Sequence, residues 1–309
     1  MTDLQIRRIQ FEFDSSVPFQ WNRANPDFGL MANAIGVLAI AFEKYIVAVT
    51  RQAIPLLTDP ALAEEAEAFL RQEAQHARAH RLHINALIEQ HPGLRATLDE
   101  AVADYDRLRE REPLEYHVAY IAALEATFTP LFKMMLDNRQ SLFTNGDDRV
   151  ASLFAWHFVE EIEHRSSALL IYHGLIDDPR YRTRVARRVF AHAVSVYAGI
   201  IEGFERHVPL ADRLVDTRRM LPRSIWLREV SARLPLLRRR LTADQYPTAF
   251  QQVPIRQLCT TLVRLLLSQA PRHRPVNEPL PAWADTWFDA YGKGTDMTRF
   301  EGTPLGSGR

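Results

Sequence analysis

The most informative stretch of this 309-residue chain is residues 156–164, whose sequence is WHFVEEIEH. Within it, Glu161 and His164 are three residues apart, and the same Glu-x-x-His spacing occurs at Glu73 and His76. Residues three apart lie on one face of a helix, so each pair can present a carboxylate and an imidazole to one point. A single pair arises often by chance, whereas two pairs far apart in the chain predict two helices that face each other.

The spacing of apolar residues around these pairs predicts further helices, and alternating strand patterns are scarce throughout. Asp59 is suited to cap one helix, because its side chain can accept a hydrogen bond from the first turn. Pro130 is expected to kink another helix. The predicted helices cover about 28–53, 60–90, 94–110, 113–138, 149–174 and 179–207. We therefore predict an all-α protein.

The composition changes near residue 208. Residues 1–208 contain the predicted core helices, and residues 209–309 are predicted to be an accessory region that packs on this core. The part from 210 to 245 holds nine Arg and four acidic residues, including Arg238, Arg239 and Arg240. A solvated helical face is the expected role of this segment, and binding of an anionic group is the alternative. After about Arg272, many Pro and Gly residues predict an irregular tail.

Two further Glu residues lie on other predicted helices among apolar neighbours, Glu43 after Ala-Phe and Glu125 after Ala-Ala-Leu. A buried carboxylate is costly unless it is paired or binds a metal. One Glu from each of two helices, with a Glu-x-x-His from each of two others, is the ligand pattern of dimetal four-helix bundles. Because Cys259 is the only cysteine, a thiolate cluster is excluded, and oxygen and nitrogen ligands suit iron or manganese.

Other residues near the pairs have roles that spacing leaves open. His157 is four residues before Glu161 and seven before His164, so it is equally suited to bind metal or to support a ligand. His80 lies one helical turn beyond His76 and is expected to hydrogen-bond a metal ligand from outside the ligand set. Glu160 is expected in a similar outer role, and it is also the alternative to Glu161 as a ligand.

Overall charge and hydropathy restrict the partners. Lys plus Arg and Asp plus Glu both number 38, and this balance argues against nucleic-acid binding. The longest apolar stretch, 29–42, has about 14 residues, whereas a membrane span needs roughly 20. No targeting segment is recognisable at the start. We expect a cytoplasmic protein without a transmembrane segment, and a homodimer is compatible with the sequence.

Several of these stretches resemble bacterial proteins described as predicted metal-dependent hydrolases, over roughly residues 5 to 270. The stretches are 7–9 (RRI), 17–21 (VPFQW), Glu43, 72–76 (QEAQH) with His80 and Asn85, 122–125 (AALE) and 156–165 (WHFVEEIEHR). One position departs from the family pattern, since Ala126 stands where His is frequent. The resemblance implies a ferritin-like four-helix bundle with additional helices.

The ligand set containing His157, Glu161 and His164 is also similar to that of diiron aminoarene N-oxygenases, which favours His157 as a ligand. The main expectation is therefore a non-haem diiron oxygenase or oxidase that uses O2 on a small, largely apolar or aromatic substrate, including amine oxidation. It would hold two iron ions, or manganese instead, and would need an external electron donor. The alternative is a dimetal hydrolase of an ester, amide or phosphoester. Iron storage and a non-catalytic scaffold fit the sequence less well.

Overall fold

The computed structural model describes residues 4–143, 145–234 and 246–302, and every regular element in these ranges is helical. The α-helices are α1 (Pro26–Ala53), α2 (Pro60–Gln90), α3 (Leu94–Arg111), α4 (Leu114–Asp137), α5 (Arg139–Leu142), α6 (Asp148–Glu163), α7 (Ser167–Leu175), α8 (Tyr181–His207), α9 (Leu210–Arg213), α10 (Pro222–Arg233), α11 (Ile255–Leu267) and α12 (Ala282–Gly292). Short 3-10 turns cover Ile54–Leu56, Thr217–Met220, Pro275–Asn277 and Met297–Gly302. The all-α prediction is confirmed.

Four helices, α1, α2, α4 and α6, form the central bundle. α1 packs along α2, α4 packs along α6, and further contacts join α1 to α4 and α2 to α6. A short connection links α1 to α2, whereas the connection from α2 to α4 is long and contains α3. A single long crossover is the arrangement of ferritin-like bundles. α3 and α8 pack against each other and against the bundle.

Side-chain caps fix where the bundle helices begin. Asn25 accepts a hydrogen bond from the Phe28 backbone N–H at the start of α1, and Asp59 accepts one from Ala61 at the start of α2. Such caps satisfy backbone donors that have no partner inside the helix. Pro130 lies inside α4, which continues past it to Asp137, so this proline does not end the helix.

α1 is more apolar than the 14-residue count suggested. The segment Pro26–Leu56 is long and apolar enough, by length and composition, to cross a membrane. However, 72% of its most apolar window is buried inside the protein, where α1 packs on α2, α3 and α4. A core helix of a soluble protein passes the same test, and the packing of α1 accounts for its apolar residues.

The prediction of one continuous helix over 149–174 is wrong, because the structure has two helices there, α6 and α7. The chain leaves the helix after Glu163, and His164 is the C-terminal cap of α6 before α7 begins at Ser167. The Ser167 hydroxyl donates a 2.7 Å hydrogen bond to Glu65 of α2, in a buried position. This tertiary contact holds the start of α7 in place, and local apolar spacing could not have predicted it. The interruption places His164 at the end of α6.

The predicted irregular tail is also partly wrong. Residues 282–292 form α12, and Trp283 and Trp287, four residues apart, are both buried against the rest of the protein. The turn Met297–Gly302 packs on α6. The Pro and Gly residues that flank these elements obscured their apolar spacing in the sequence. Residues 282–292 and 297–302 therefore pack against the outside of the bundle.

In the Arg-rich segment, several guanidinium groups form internal ion pairs. Arg219 and Arg228 lie 3.6 and 3.2 Å from the carboxylate of Asp27, which is fully buried in α1. Arg213 is 7% exposed and lies 2.8 Å from Glu205. These three guanidinium groups are not part of a solvated face, whereas Arg218 and Arg223 of the same segment are exposed, as expected. Arg238, Arg239 and Arg240 lie outside the described residues, and the division at residue 208 stays a prediction.

Candidate metal centre

Seven side chains from the four bundle helices converge in the middle of the bundle. They form two groups, and within each group one ligand atom from each residue lies within 4.8 Å of those from the others. Site 1 consists of Glu43, His76, His157 and Glu161, and site 2 consists of Glu73, Glu125, Glu161 and His164. Glu161 belongs to both sites, so a single carboxylate can connect two metal positions.

Site 1 is arranged around one oxygen of Glu161. His157 Nε2 lies 2.9 Å from Glu161 Oε1 and 3.2 Å from Glu43 Oε1. His76 Nδ1 lies 3.6 Å from the same Glu161 oxygen. Two carboxylates and two imidazoles thus point at one small volume.

Site 2 is arranged around the other oxygen. His164 Nε2 lies 3.2 Å from Glu161 Oε2, 3.2 Å from Glu73 Oε1 and 3.8 Å from Glu125 Oε2. Because the two oxygens of Glu161 face different sites, this carboxylate has the orientation of a bridging ligand. The break after α6 contributes here, since it sets the position of His164.

All seven side chains are buried, with at most 3% of each residue exposed. In the described part of the chain, Glu43 Oε2, both oxygens of Glu73, Glu125 Oε1 and His76 Nδ1 make no hydrogen bond. Buried polar atoms without partners are costly and rare in native proteins. A pair of divalent cations would supply partners for these atoms and balance four carboxylates, so the residues fit a dimetal centre.

Each of the three imidazoles is held by a hydrogen bond on the side that faces away from the centre. These bonds join His76 Nε2 to Glu160 at 2.9 Å, His157 Nδ1 to His80 at 2.8 Å, and His164 Nδ1 to Gln72 at 2.9 Å. Metal-binding imidazoles almost always have such a partner, which fixes the ring and its tautomer. The pattern is therefore typical of metal ligands.

The acid–base properties of the carboxyl groups differ. Burial and the nearby Glu161 raise the pKa of Glu73 to about 8. Burial, followed by Glu161 and Glu73, raises the pKa of Glu125 well above its usual value. Burial opposes ionisation of Glu161 too, yet His164 and His157 hold its pKa well below the usual range. Without metal, protons therefore balance part of the buried negative charge, and cations must displace them on binding.

Burial acts on the imidazoles in the opposite direction, because it lowers their pKa values, but nearby carboxylates can outweigh it. Burial lowers the pKa of His157, but Glu43 and Glu161 outweigh it and raise that pKa to about 10. At neutral pH the metal-free ring is therefore positively charged. Burial lowers the pKa of His76 well below its usual value, so this ring is neutral and its Nδ1 can bind a cation.

The structure brings all the sequence-predicted site residues together. His157 lies inside site 1. His80 and Glu160 lie outside it, each hydrogen-bonded to an imidazole of the centre. Glu160 turns away from the two sites while Glu161 faces both, so the geometry favours Glu161 as the ligand. The ligand roles themselves stay predictions.

Three supporting residues, Arg7, Gln72 and Glu163, were not predicted to have a role. Gln72 hydrogen-bonds His164, and Arg7 forms ion pairs with Glu160 and Glu163. Gln72 is four residues before His76, so helical spacing alone could have placed it near the centre. No local pattern could have linked Arg7 to residues more than 150 positions away.

The sequence profile of one family, described as predicted metal-dependent hydrolase, matches residues 5–245. This range contains every residue of sites 1 and 2. Comparisons with curated proteins and with solved structures give no match. The description agrees with the hydrolase alternative and lends no support to the oxygenase expectation. Since the match covers most of the chain, this protein belongs to the family of predicted metal-dependent hydrolases.

Proposed function

We propose that this chain is a two-metal enzyme. The seven residues of sites 1 and 2 would hold two divalent cations, with Glu161 bound to both. The observation that carries the proposal is the orientation of Glu161, which directs one oxygen into each of two buried groups. Four carboxylates match the charge of two divalent cations, which makes the arrangement tolerable inside an apolar bundle.

Bound there, such cations would lower the pKa of a water molecule and polarise a carbonyl or phosphoryl group. If they were iron, they would instead supply electrons for reaction with dioxygen. Around them, the chain excludes bulk water and holds the ligand set in place. Glu43 Oε2, Glu125 Oε1 and both oxygens of Glu73 make no hydrogen bond with the described residues. A carboxylate oxygen without such a bond could accept a proton during either reaction.

Hydrolysis of an ester, amide or phosphoester is the first candidate reaction, because it agrees with the description of the family. Glu160 is engaged with Arg7 and His76, which leaves the ligand carboxylates themselves as the bases nearest to the centre. A hydrolase of this kind would depend on its metals to activate water.

Oxidation by dioxygen is the second candidate, and one feature of the structure favours it. A cavity of about 10 Å³, lined mainly by apolar side chains, has room for about one molecule of the size of water. Its lining includes Phe69 and Ile121, one helical turn before Glu73 and Glu125, and the Phe69 ring lies 5.0 Å from that of His164. Among the reactants considered, a molecule as small and apolar as dioxygen suits this space, whereas an ester is too large for it.

Two parallel assays separate the candidates. Metal-free protein would be loaded with Fe(II) without oxygen and then mixed with O2, while Zn(II), Mn(II) and Fe(II) forms are tested on esters, amides and phosphoesters. Hydrolysis predicts turnover that does not depend on oxygen, and oxidation predicts O2 uptake with oxidation of the bound iron. Glu161→Ala should remove the observed reaction. If neither reaction occurs with a fully loaded protein, the enzymatic proposal is wrong.

A further inference from the structure

We propose that Arg7, in the N-terminal segment, is a positioning residue that orients one imidazole of each metal site. The inference rests on the proposed two-metal centre but not on which reaction it performs. Arg7 is 4% exposed, and its guanidinium lies outside the ligand shell. Two chains of hydrogen bonds lead inward from it, one to His76 in site 1 and one to His164 in site 2.

The first branch passes through Glu160. Arg7 Nη1 donates a 3.0 Å hydrogen bond to Glu160 Oε1, and the other oxygen of Glu160 lies 2.9 Å from His76 Nε2. A carboxylate paired with a guanidinium is an acceptor, so the proton of the His76 ring belongs on Nε2. The lone pair of Nδ1 then faces site 1, as metal binding requires.

The second branch passes through Glu163 and Gln72. Arg7 donates to both oxygens of Glu163, at 2.7 and 2.8 Å, in the two-pronged geometry of a strong ion pair. Gln72 Nε2 donates to Glu163 at 2.8 Å and to the Gln5 carbonyl at 3.0 Å. These contacts fix the amide so that its oxygen faces His164 Nδ1 at 2.9 Å. The His164 proton therefore belongs on Nδ1, and Nε2 is free to bind metal.

The outer face of the guanidinium is covered by α12. The carbon at its centre lies 4.7 Å from the ring centroid of Phe288, 5.6 Å from that of Tyr291 and 5.9 Å from that of Trp287. Cation–π contacts of this kind are strongest when the cation is shielded from water. A dry environment also strengthens the hydrogen bonds on the inner face. α12 lies beyond residues 5–245, so the support of the centre includes an element outside the part matched by the family profile.

An ordinary structural salt bridge would need Arg7 and Glu163 alone. The additional bond to Glu160 and the amide of Gln72 extend the network to ring nitrogens on the far side of both ligands. Loss of a partner that orients a metal-binding imidazole typically costs 10–100-fold in metal affinity. Removal of the Arg7 guanidinium should therefore lower the affinity for both ions. Removal of a residue from one branch should lower the affinity for one ion only.

The test measures Co(II) binding to metal-free protein, with the two dissociation constants obtained by competition with a chelator. Arg7→Gln should weaken the binding of both Co(II) ions about 10–100-fold. Gln72→Leu should weaken Co(II) binding at site 2, and Glu160→Gln should weaken Co(II) binding at site 1. Arg8→Gln, at the exposed neighbouring position, is the matched control and should leave both constants unchanged. Circular dichroism of the metal-free variants monitors folding.

The proposal is overturned if folded Arg7→Gln retains both constants within about twofold of wild type, against the tenfold or greater loss expected. If Arg7→Gln does not fold, Gln72→Leu and Glu160→Gln decide the question. The network is supported if each of these variants loses affinity for one ion only, and if that ion differs between the two variants. It is contradicted if the dissociation constants are unchanged, or if both ions are weakened equally in each variant. A wild-type protein that binds no Co(II) would instead contradict the two-metal centre itself, so the two failures are distinguishable.

Discussion

Glu161→Ala is expected to abolish tight binding of both metal ions at once. Every other carboxylate of the centre belongs to one site, whereas the two oxygens of Glu161 face His157 in site 1 and His164 in site 2. The loss should exceed about 100-fold for each ion, because a direct ligand contributes more than an outer partner does. Metal content per chain after loading and desalting measures the effect.

Two comparisons make this result specific. Glu125→Ala removes a ligand of site 2 alone and should leave site 1 able to bind one ion. Glu67→Ala removes an exposed carboxylate of the same helix as Glu73 and should leave both ions bound. A Glu161→Ala protein that keeps two ions would show that Glu161 does not bridge the sites.

Metal loading is expected to raise the melting temperature of the protein by about 10 °C. A ligand that binds the folded state alone stabilises it by about 2.7 kcal/mol at a free concentration 100 times its dissociation constant, so two sites give about 5 kcal/mol. For a chain of this size, each kcal/mol corresponds to about 2 °C. In addition, removal of metal leaves buried oxygens of Glu43, Glu73 and Glu125 without hydrogen-bond partners among the described residues.

Calorimetry of the loaded protein and of the chelator-treated protein measures this shift. Glu161→Ala serves as the control, since its melting temperature should barely respond to added metal. Equal melting temperatures for loaded and chelator-treated wild type would mean that the seven side chains are stable in this arrangement without cations.

The bundle could be predicted from the sequence because helix formation depends on residues that are close together in the chain. Apolar spacing and caps such as Asp59 placed most helix ends within a few residues of their observed positions. The Glu-x-x-His pairs predicted which faces of α2 and α6 point inward. Convergence of Glu43 and Glu125 with these pairs followed from the expectation that buried carboxylates need partners.

The remaining features depend on contacts between distant parts of the chain. The break at His164 is associated with the hydrogen bond from Ser167 to Glu65, which no helical pattern reveals. α12 is short, and its burial becomes evident only once Trp287 is seen against the rest of the protein. Arg7 reaches the centre through Glu160, 153 residues away in sequence. Such long-range polar contacts require the folded structure.

The most direct test of the central claim is an electron paramagnetic resonance titration of metal-free protein with Mn(II). Two manganese ions that share the Glu161 carboxylate should interact magnetically. The account predicts that two equivalents bind per chain and that, as the second binds, the six-line spectrum of isolated Mn(II) gives way to a spin-coupled signal. Binding of a single equivalent with an uncoupled six-line spectrum, or no binding at all, would contradict a two-metal centre bridged by Glu161.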